Sequence, residues 1–254
     1  MRFEKLKWKE VEKEIKENNI LILPVGSIEQ HAYHLPVDTD IDCALYVAKK
    51  VSEKTNTLLL PPVYYSYVEY ALDFPGTVSV SAITFINYIV EIALGLWKTG
   101  FRKMVLINGH GGNGGPILTA SHIVSEKTNM LFAVLNYYSM IADVYEKERK
   151  TDTGGNGHAS ELETDIKYFI DPDNVDPSKA NSYIGGPISK FNHWDLGRPA
   201  PVTMLVKWRN YGESGIYGDA TQSTAERGEK WVNDSINRIV EFVEILKKTD
   251  APEK

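Results

Sequence analysis

Short, continuously apolar runs alternate along this chain with segments of helical periodicity. Residues 20–25 read Ile-Leu-Ile-Leu-Pro-Val and residues 104–107 read Met-Val-Leu-Ile, without a polar residue in either run. Strands buried on both faces of a parallel sheet have this pattern, whereas strands with one face in water alternate apolar and polar residues. Because helical segments separate the runs, the sequence predicts an α/β fold with a mostly parallel central sheet covered on both sides.

Length and charge narrow the class of protein. The chain has 254 residues, and because no linker-like stretch divides it, we expect one domain over residues 1–254. The formal net charge of −6 disfavours a nucleic-acid or anionic-membrane surface, since both need concentrated lysine and arginine. The start of the chain lacks a signal-peptide core, and no apolar stretch reaches membrane-spanning length. These features predict a cytoplasmic protein that acts on a small molecule and binds neither nucleic acid nor membrane.

A dense group of metal-ligand residue types follows the first apolar run. It comprises Glu29, His31, His34 and Asp40. Glu29 and His31 are two residues apart, so in extended chain their side chains point the same way and can converge on one or two ions. Asp40 could instead cap the helix that the following apolar pattern predicts, and Glu29 or His34 could be ordinary loop residues.

A glycine-rich segment, residues 109–115, lies between a predicted strand and a predicted helix. Its G-x-G-x-x-G spacing is also that of a dinucleotide-binding loop. Such a fold needs an acidic residue at the end of the next strand, where this chain has Asn136. We therefore interpret the glycines as a tight bend beside a metal-bound substrate, with His110 supplying a nitrogen ligand. A non-catalytic nucleotide-binding module is the alternative.

A third group, His158 and Glu163, lies at the start of a helix predicted to end near Asp171. Ser160 and Glu163 also have capping-box spacing, so Glu163 could merely close the helix N-terminus. In a parallel α/β sheet, however, strand ends and helix starts share one edge. The three groups together predict a two-metal site at that edge, in which a bridging carboxylate and neutral histidines bind the ions.

Two further stretches lack regular periodicity. Residues 63–76 are rich in aromatic side chains, which suits a pocket wall, a subunit contact or core packing. Residues 173–218 form a long connection of the kind that is usually functional, and His193 and Trp194 are candidate substrate contacts there. The same segment carries three cations that would suit an anionic substrate or simply face solvent: Arg198, Lys207 and Arg209.

Four ordered motifs resemble the creatininase (creatinine amidohydrolase) family. They are Gly-Ser-Ile-Glu-Gln-His at 26–31 with Thr-Asp at 39–40, Asn-Gly-His-Gly-Gly-Asn at 108–113, His-Ala and Glu-Thr within 158–164, and Gly-Ile-Tyr-Gly-Asp at 215–219. The resemblance implies an α/β/α sandwich and a centre of two divalent metal ions per subunit, with Zn, Mn or Fe as candidates. It also implies a homo-oligomer, either a hexamer or a dimer-based assembly.

Carried over residue by residue, the resemblance implies a ligand set for each metal. Glu29, Asp40 and His110 would bind one ion, while His31, Asp40 and Glu163 would bind the other. Asp40 would bridge the two ions.

The resemblance also implies roles beside the metals. His158 matches the family's catalytic histidine, which lies near the substrate rather than on the metal. Gly111, Gly112 and Asn113 are expected at the substrate. Creatininase itself has a glutamate at the position of Gly112, whereas relatives with the Gly-His-Gly-Gly-Asn form include a formamidopyrimidine-nucleotide deformylase, a peptide-processing hydrolase and enzymes that open oxidised inositol rings.

The predicted function is therefore metal-dependent hydrolysis. Two ions that share a water lower its pKa from ~16 towards ~7, and the resulting hydroxide attacks a carbonyl of a small cyclic amide or formamide. His158 would donate a proton to the leaving group during C–N cleavage. With a cyclic diketone, such as an oxidised cyclitol, the same chemistry would cleave a C–C bond.

Overall fold

In a computed structural model, four parallel strands form a central sheet in the order β2–β1–β3–β4. The structure describes residues 1–185, 189, 191–198, 200–204, 207–210 and 212–252. The strands are β1 Ile20–Val25, β2 Leu58–Leu59, β3 Lys103–Asn108 and β4 Leu131–Asn136. Val25 pairs with Asn108, and Asn108 pairs with Asn136, so the three longer strands end at the same level. That common end forms one edge of the sheet.

Helices cover both faces of this sheet. They are α1 Trp8–Glu17, α2 Thr39–Thr55, α3 Ala82–Lys98, α4 Gly114–Lys127, α5 Ala142–Glu148, α6 Glu161–Ile170 and α7 Ala225–Lys248. Ile20 and Ile22 pack in a core with α2, α6 and α7, whereas Leu21 and Leu23 pack in a second core with α3 and α4. Both faces of β1 are thus buried, which explains its unbroken apolar sequence. The predicted α/β architecture with a mostly parallel central sheet is confirmed.

A second, antiparallel sheet was not predicted from the sequence. Its strands are β5 Asn156–His158, β6 Ser182–Tyr183 and β7 Tyr217–Asp219, in the order β5–β7–β6. Strands of two or three residues are too short to show a period of two. The consequence for function is that His158 lies at the end of a strand, immediately before α6, rather than in a free loop.

Pro116 lies near the start of a helix rather than before it. Helix α4 begins at Gly114, and proline is tolerated in the first turn of a helix, where its missing N–H costs nothing. Residues 173–218 contain β6 and the start of β7, and part of that segment lies outside the described residues. Among the residues that the structure describes, none of the helices has both the length and the apolar character needed to cross a lipid bilayer.

Candidate metal centre

Five side chains with metal-binding atoms converge at the carboxyl-end edge of the central sheet. Glu29 and His31 follow β1, Asp40 lies in the first turn of α2, His110 follows β3, and Glu163 lies in the first turn of α6. All five are buried. Three groups have ligand atoms within 4.8 Å of one another: Glu29, Asp40 and His110; His31, Asp40 and Glu163; and Glu29, His31 and His158.

Asp40 is shared by the first two groups. Its Oδ2 lies 2.7 Å from Nδ1 of His110, and its Oδ1 lies 3.1 Å from Nε2 of His31. Ser27 Oγ donates to Oδ2 at 2.9 Å and so orients the carboxylate. Because the two oxygens face two different histidines, the carboxylate has the orientation that bridging requires. Asp38, not Asp40, occupies the N-cap position of α2, so helix capping does not account for Asp40.

Backbone groups orient the remaining ligands. Nδ1 of His31 donates to the carbonyl oxygen of Glu29 at 3.1 Å, which leaves Nε2 free to face Asp40. The Ala159 N–H donates to Oε2 of Glu163 at 2.6 Å, while the Ser160 side chain makes no capping hydrogen bond. Glu163 thus accepts from Ala159 rather than from the Ser160 N–H that a capping box requires, and it lies within reach of His31 and Asp40.

A glycine allows the β3 loop to approach helix α2. A Cβ atom on Gly109 would lie 2.1 Å from the carbonyl oxygen of Asp40, which is far inside van der Waals contact. This position therefore has a packing requirement for glycine. The close approach also brings His110, the next residue, against the Asp40 carboxylate.

Electrostatic interactions among the buried side chains set the protonation of this cluster. Burial opposes charge on His31, but the neighbouring Asp40 carboxylate raises the pKa of His31 to about 9. Burial also opposes charge on His110, but the carboxylates of Glu29 and Asp40 have the larger effect and raise the pKa of His110 well above 6.5. Burial, together with repulsion between the Glu163 and Asp40 carboxylates, raises the pKa of Glu163 to about 8. His31, His110 and Glu163 therefore hold protons at neutral pH.

The residues present fit a divalent metal. Oε1 of Glu29 is buried and accepts no hydrogen bond, although Nδ1 of His110 lies 3.1 Å from it. An unpartnered buried carboxylate oxygen is costly unless a cation or donor completes it. Mixed carboxylate and imidazole ligands are accepted by Zn, Mn and Fe.

The raised pKa values predict how metal affinity depends on pH. A metal ion needs the lone pair of a neutral imidazole, so His31 and His110 must each release a proton on binding. Lowering the pH favours the protonated rings, and the apparent affinity should therefore fall as pH falls below about 9. The expected slope is about tenfold per pH unit for each proton released. Calorimetric titration with Mn²⁺ in buffers of different ionisation enthalpy measures the number of protons.

His34 provides the control for this titration. Burial lowers the pKa of His34 to about 4, so its ring is already neutral at pH 7 and has no additional proton to release when a metal binds. Its Nε2 forms a hydrogen bond with Thr164 Oγ1 at 2.9 Å. The variant His34→Ala should release as many protons as wild type. Metal binding without net proton release in the wild type would contradict the protonation described above.

A cavity of about 560 Å³ opens beside the ligands. His110 and Glu163 form part of its wall, and Gly111 and Gly112 of the glycine loop form another part. Its aromatic wall consists of Tyr67, Tyr70, Trp194 and Trp208, and His193 also lines it. Residues 63–76 therefore contribute a pocket wall, one of the alternatives left open by the sequence, while Phe74 is buried in core packing.

His158 also lines the cavity, next to the candidate metal ligands. Its Nε2 lies 2.8 Å from the carbonyl oxygen of Gln30, and its Nδ1 lies 3.5 Å from Oε1 of Glu29. Its ring packs edge-on against Trp208 at a centroid distance of 4.8 Å. Burial and the nearby positive charge of His31 lower the pKa of His158 well below 6.5, so the ring is neutral at pH 7.

Several residues singled out in the sequence lie elsewhere. Asn113 is not among the residues that line the cavity, and its buried amide donates to Asn108 Oδ1 at 3.1 Å, so its contact with a substrate stays a prediction. Arg198 is exposed and donates to Thr153 Oγ1 at 2.6 Å. Arg209 stacks over Phe74 and donates to the Asp73 carbonyl oxygen at 3.0 Å. With Lys207 also exposed, these cations lie apart from the cavity walls.

Two neighbours of the candidate ligands were not predicted from the sequence. Gln30 lies between two ligand positions, and its amide donates to the Gly215 carbonyl oxygen at 3.0 Å, which ties the first motif to the last one. Tyr70 is one of several aromatic residues within 63–76, and its hydroxyl lies 2.9 Å from Nε2 of His110. The position of Gln30 between Glu29 and His31 was a usable signal, whereas nothing local distinguished Tyr70.

The fold and this site together define a metal-dependent hydrolase of the α/β type, with its ligands at the edge where such sheets bind small molecules. A profile of the creatininase family, described as creatinine amidohydrolase, matches residues 4–243. The chain belongs to the creatininase family. The glycine loop accordingly brings His110 to the carboxylates, and the nucleotide-binding alternative is not supported.

Relatives of this chain are hydrolytic enzymes. It is 28% identical to 3-dehydro-scyllo-inosose hydrolase from Thermotoga maritima, over 95% of this chain and 82% of that one. It is 27% identical to creatinine amidohydrolase from Pseudomonas putida, over 78% of this chain and 84% of that one. It is 30% identical to the mycofactocin precursor peptide peptidase from Mycolicibacterium smegmatis, over 86% and 81% of the respective chains.

Solved structures show the same fold. The structure of creatinine amidohydrolase (creatininase) aligns with a TM-score of 0.84 at 22% identity, covering 98% of each chain. A structure described as creatininase Mn aligns with a TM-score of 0.83 at 22% identity, covering 98% of this chain and 99% of that one. A mutant creatininase of Zn-Zn type also aligns with a TM-score of 0.83, at 22% identity and with 98% of each chain covered.

Proposed function

We propose that this protein binds two divalent ions and hydrolyses a small carbonyl compound. The observation that carries the proposal is the Asp40 carboxylate, whose two oxygens face His110 and His31 in two separate groups of ligand atoms. Glu29 would complete the group around His110, and Glu163 would complete the group around His31. Zn and Mn are the first candidates, since related creatininases are described with both, and Fe remains a third.

Bound divalent ions would supply two effects, a lower pKa of a coordinated water and polarisation of the substrate carbonyl. The chain's own residues move and place protons. His158 is a neutral imidazole beside the cavity, so it can accept a proton from the attacking water and pass that proton to the leaving group. Gln30 and Trp208 hold the His158 ring, which keeps one orientation available for both transfers.

The cavity supports a small, planar substrate. Its volume of about 560 Å³ suits a molecule of one or two rings, and aromatic walls favour flat, uncharged groups. We propose C–N cleavage of a cyclic amide or formamide. Ring opening of an oxidised cyclitol by C–C cleavage is the second candidate, because the inosose hydrolase from Thermotoga maritima aligns over 95% of this chain. We also propose a homo-oligomer.

Metal counting tests this function first. Elemental analysis of gently purified protein should find about two divalent ions per chain, and fewer in His110→Ala. The metal found is then used to screen lactams, formamides and cyclic diketones for hydrolysis. Protein that holds no divalent ion even after anaerobic reconstitution would refute the proposal.

A further inference from the structure

Tyr70 lines the cavity and contacts the proposed metal ligand His110 on the side of the ring that faces away from Asp40. Its hydroxyl lies 2.9 Å from Nε2 of His110, while Nδ1 of the same ring lies 2.7 Å from Oδ2 of Asp40. The His110 ring therefore stands between the proposed metal position and Tyr70. Histidine ligands commonly donate their second N–H to such a partner, which fixes both the tautomer and the ring orientation.

The Tyr70 hydroxyl occupies space that a side chain at position 112 would need. A Cβ atom on Gly112 would lie 2.2 Å from the Tyr70 hydroxyl oxygen and 2.5 Å from Nε2 of His110. Tyr70 can reach His110 only because position 112 is glycine.

The aromatic wall holds the Tyr70 ring in place. The ring lies nearly parallel to His110, with an interplanar angle of 16° and a centroid distance of 6.2 Å. Trp208 packs against it at 5.4 Å, and Tyr67 packs edge-on at 6.0 Å. Trp208 also contacts His158, so Tyr70 and His158 flank the same tryptophan on the cavity wall. The hydroxyl thus has a defined position relative to His158.

We propose that Tyr70 orients His110 and donates its hydroxyl hydrogen to an oxygen of the substrate. This inference rests on the proposed function. When Nδ1 of His110 binds a metal, the imidazole proton must lie on Nε2 and is donated to the Tyr70 oxygen. Within the described part of the chain, no acceptor is present for the phenol's own hydrogen, and Tyr70 lines the cavity. That hydrogen is therefore available to a substrate carbonyl oxygen.

Titration with Mn²⁺ alone tests the orienting role. Tyr70→Phe removes one oxygen and keeps the ring, and it should weaken Mn²⁺ binding by about 10- to 100-fold in competition with a chelator. Tyr67→Phe is the control, because it makes the same chemical change in the same wall of the cavity. Among the described residues, the Tyr67 hydroxyl has no hydrogen bond to a proposed ligand. The Tyr67→Phe protein should therefore bind Mn²⁺ as tightly as wild type. Equal affinity in Tyr70→Phe and wild type would overturn the proposal.

Gly112→Ala supplies a second variant. Its added methyl would lie 2.2 Å from the Tyr70 hydroxyl oxygen and 2.5 Å from Nε2 of His110, so it should push these two groups apart and weaken Mn²⁺ binding. The double variant with Tyr70→Phe should then lose less affinity than the product of the two single losses, because both changes remove one interaction. Fully multiplicative losses would overturn the shared contact.

Acetohydroxamate, a planar carbonyl compound that binds metals, probes the donor role. At saturating Mn²⁺, Tyr70→Phe should bind it about 3- to 10-fold more weakly than wild type, the usual effect of losing one hydrogen bond. Unchanged binding would overturn the donor role. If the wild-type protein binds no Mn²⁺, both the proposed function and this inference are overturned. If wild type and Tyr70→Phe bind Mn²⁺ equally well, only the role of Tyr70 is overturned.

Discussion

Replacing Asp40 with alanine should abolish metal binding and hydrolysis together. The carboxylate is the group common to both sets of ligand atoms, and it lies between His31 and His110. Without it, each ion would lose a negatively charged ligand, and the two ions would lose the group that screens their mutual repulsion. We expect elemental analysis to find almost no bound metal. Activity should fall by at least ~10³-fold, since metal activation is worth several kcal/mol of barrier.

Asp38→Ala is the matched control for this change. Asp38 lies two residues away, at the N-cap of the same helix, and its half-exposed side chain pairs with Lys167 rather than with the histidines. Lys167 keeps Asp42 and Asp171 as partners, so the fold should tolerate the substitution. The control should bind as much metal as wild type. An Asp40→Ala protein that still held two metals per chain would rule out the bridging role.

Replacing His158 with alanine should separate catalysis from metal binding. His158 contacts Glu29 at 3.5 Å but is held mainly by Gln30 and Trp208, and it stands at the cavity. We therefore expect near wild-type metal content. The rate constant kcat should fall by about 10²- to 10⁴-fold, which is the usual contribution of a positioned proton-transfer group.

The pH profile and a second histidine variant complete this experiment. The pKa of His158 is well below 6.5, so the wild-type rate should not fall through loss of the neutral ring until the pH is acidic. His122→Ala, at an exposed position on α4, should keep both metal and rate. Wild-type kcat in His158→Ala would exclude proton transfer by this residue.

Local sequence carried much of the information about the fold. The unbroken apolar runs identified β1 and β3 because a strand covered on both faces needs an apolar residue at every position. Helical periodicity after Asp40 predicted α2, whose buried stripe packs against the sheet. The short strands β5 to β7 gave no such signal, since three residues cannot show a period and their pairing partners lie far away in the chain.

Much of the candidate site, like much of the fold, was predicted from the sequence. Glu29, His31, Asp40, His110 and Glu163 were chosen because strand ends and helix starts share one edge of a parallel sheet, and the structure brings them within reach of one another. Residue type alone did not predict which groups Arg198 and Asn113 contact. Their chemistry suits a substrate, but Arg198 contacts Thr153 and Glu146, and Asn113 contacts Asn108.

The sequence by itself determined the class of fold, the family and the candidate ligands, because these follow from periodicity and from residue types at fixed spacing. Only the tertiary structure decided that Asp40 faces both histidines, that His158 is held by Gln30, and that Tyr70 reaches His110 over Gly112. The physical reason is that periodicity reflects how one element is buried. Contacts between residues far apart in the chain depend on how several elements pack, and on the space that each side chain leaves to its neighbours.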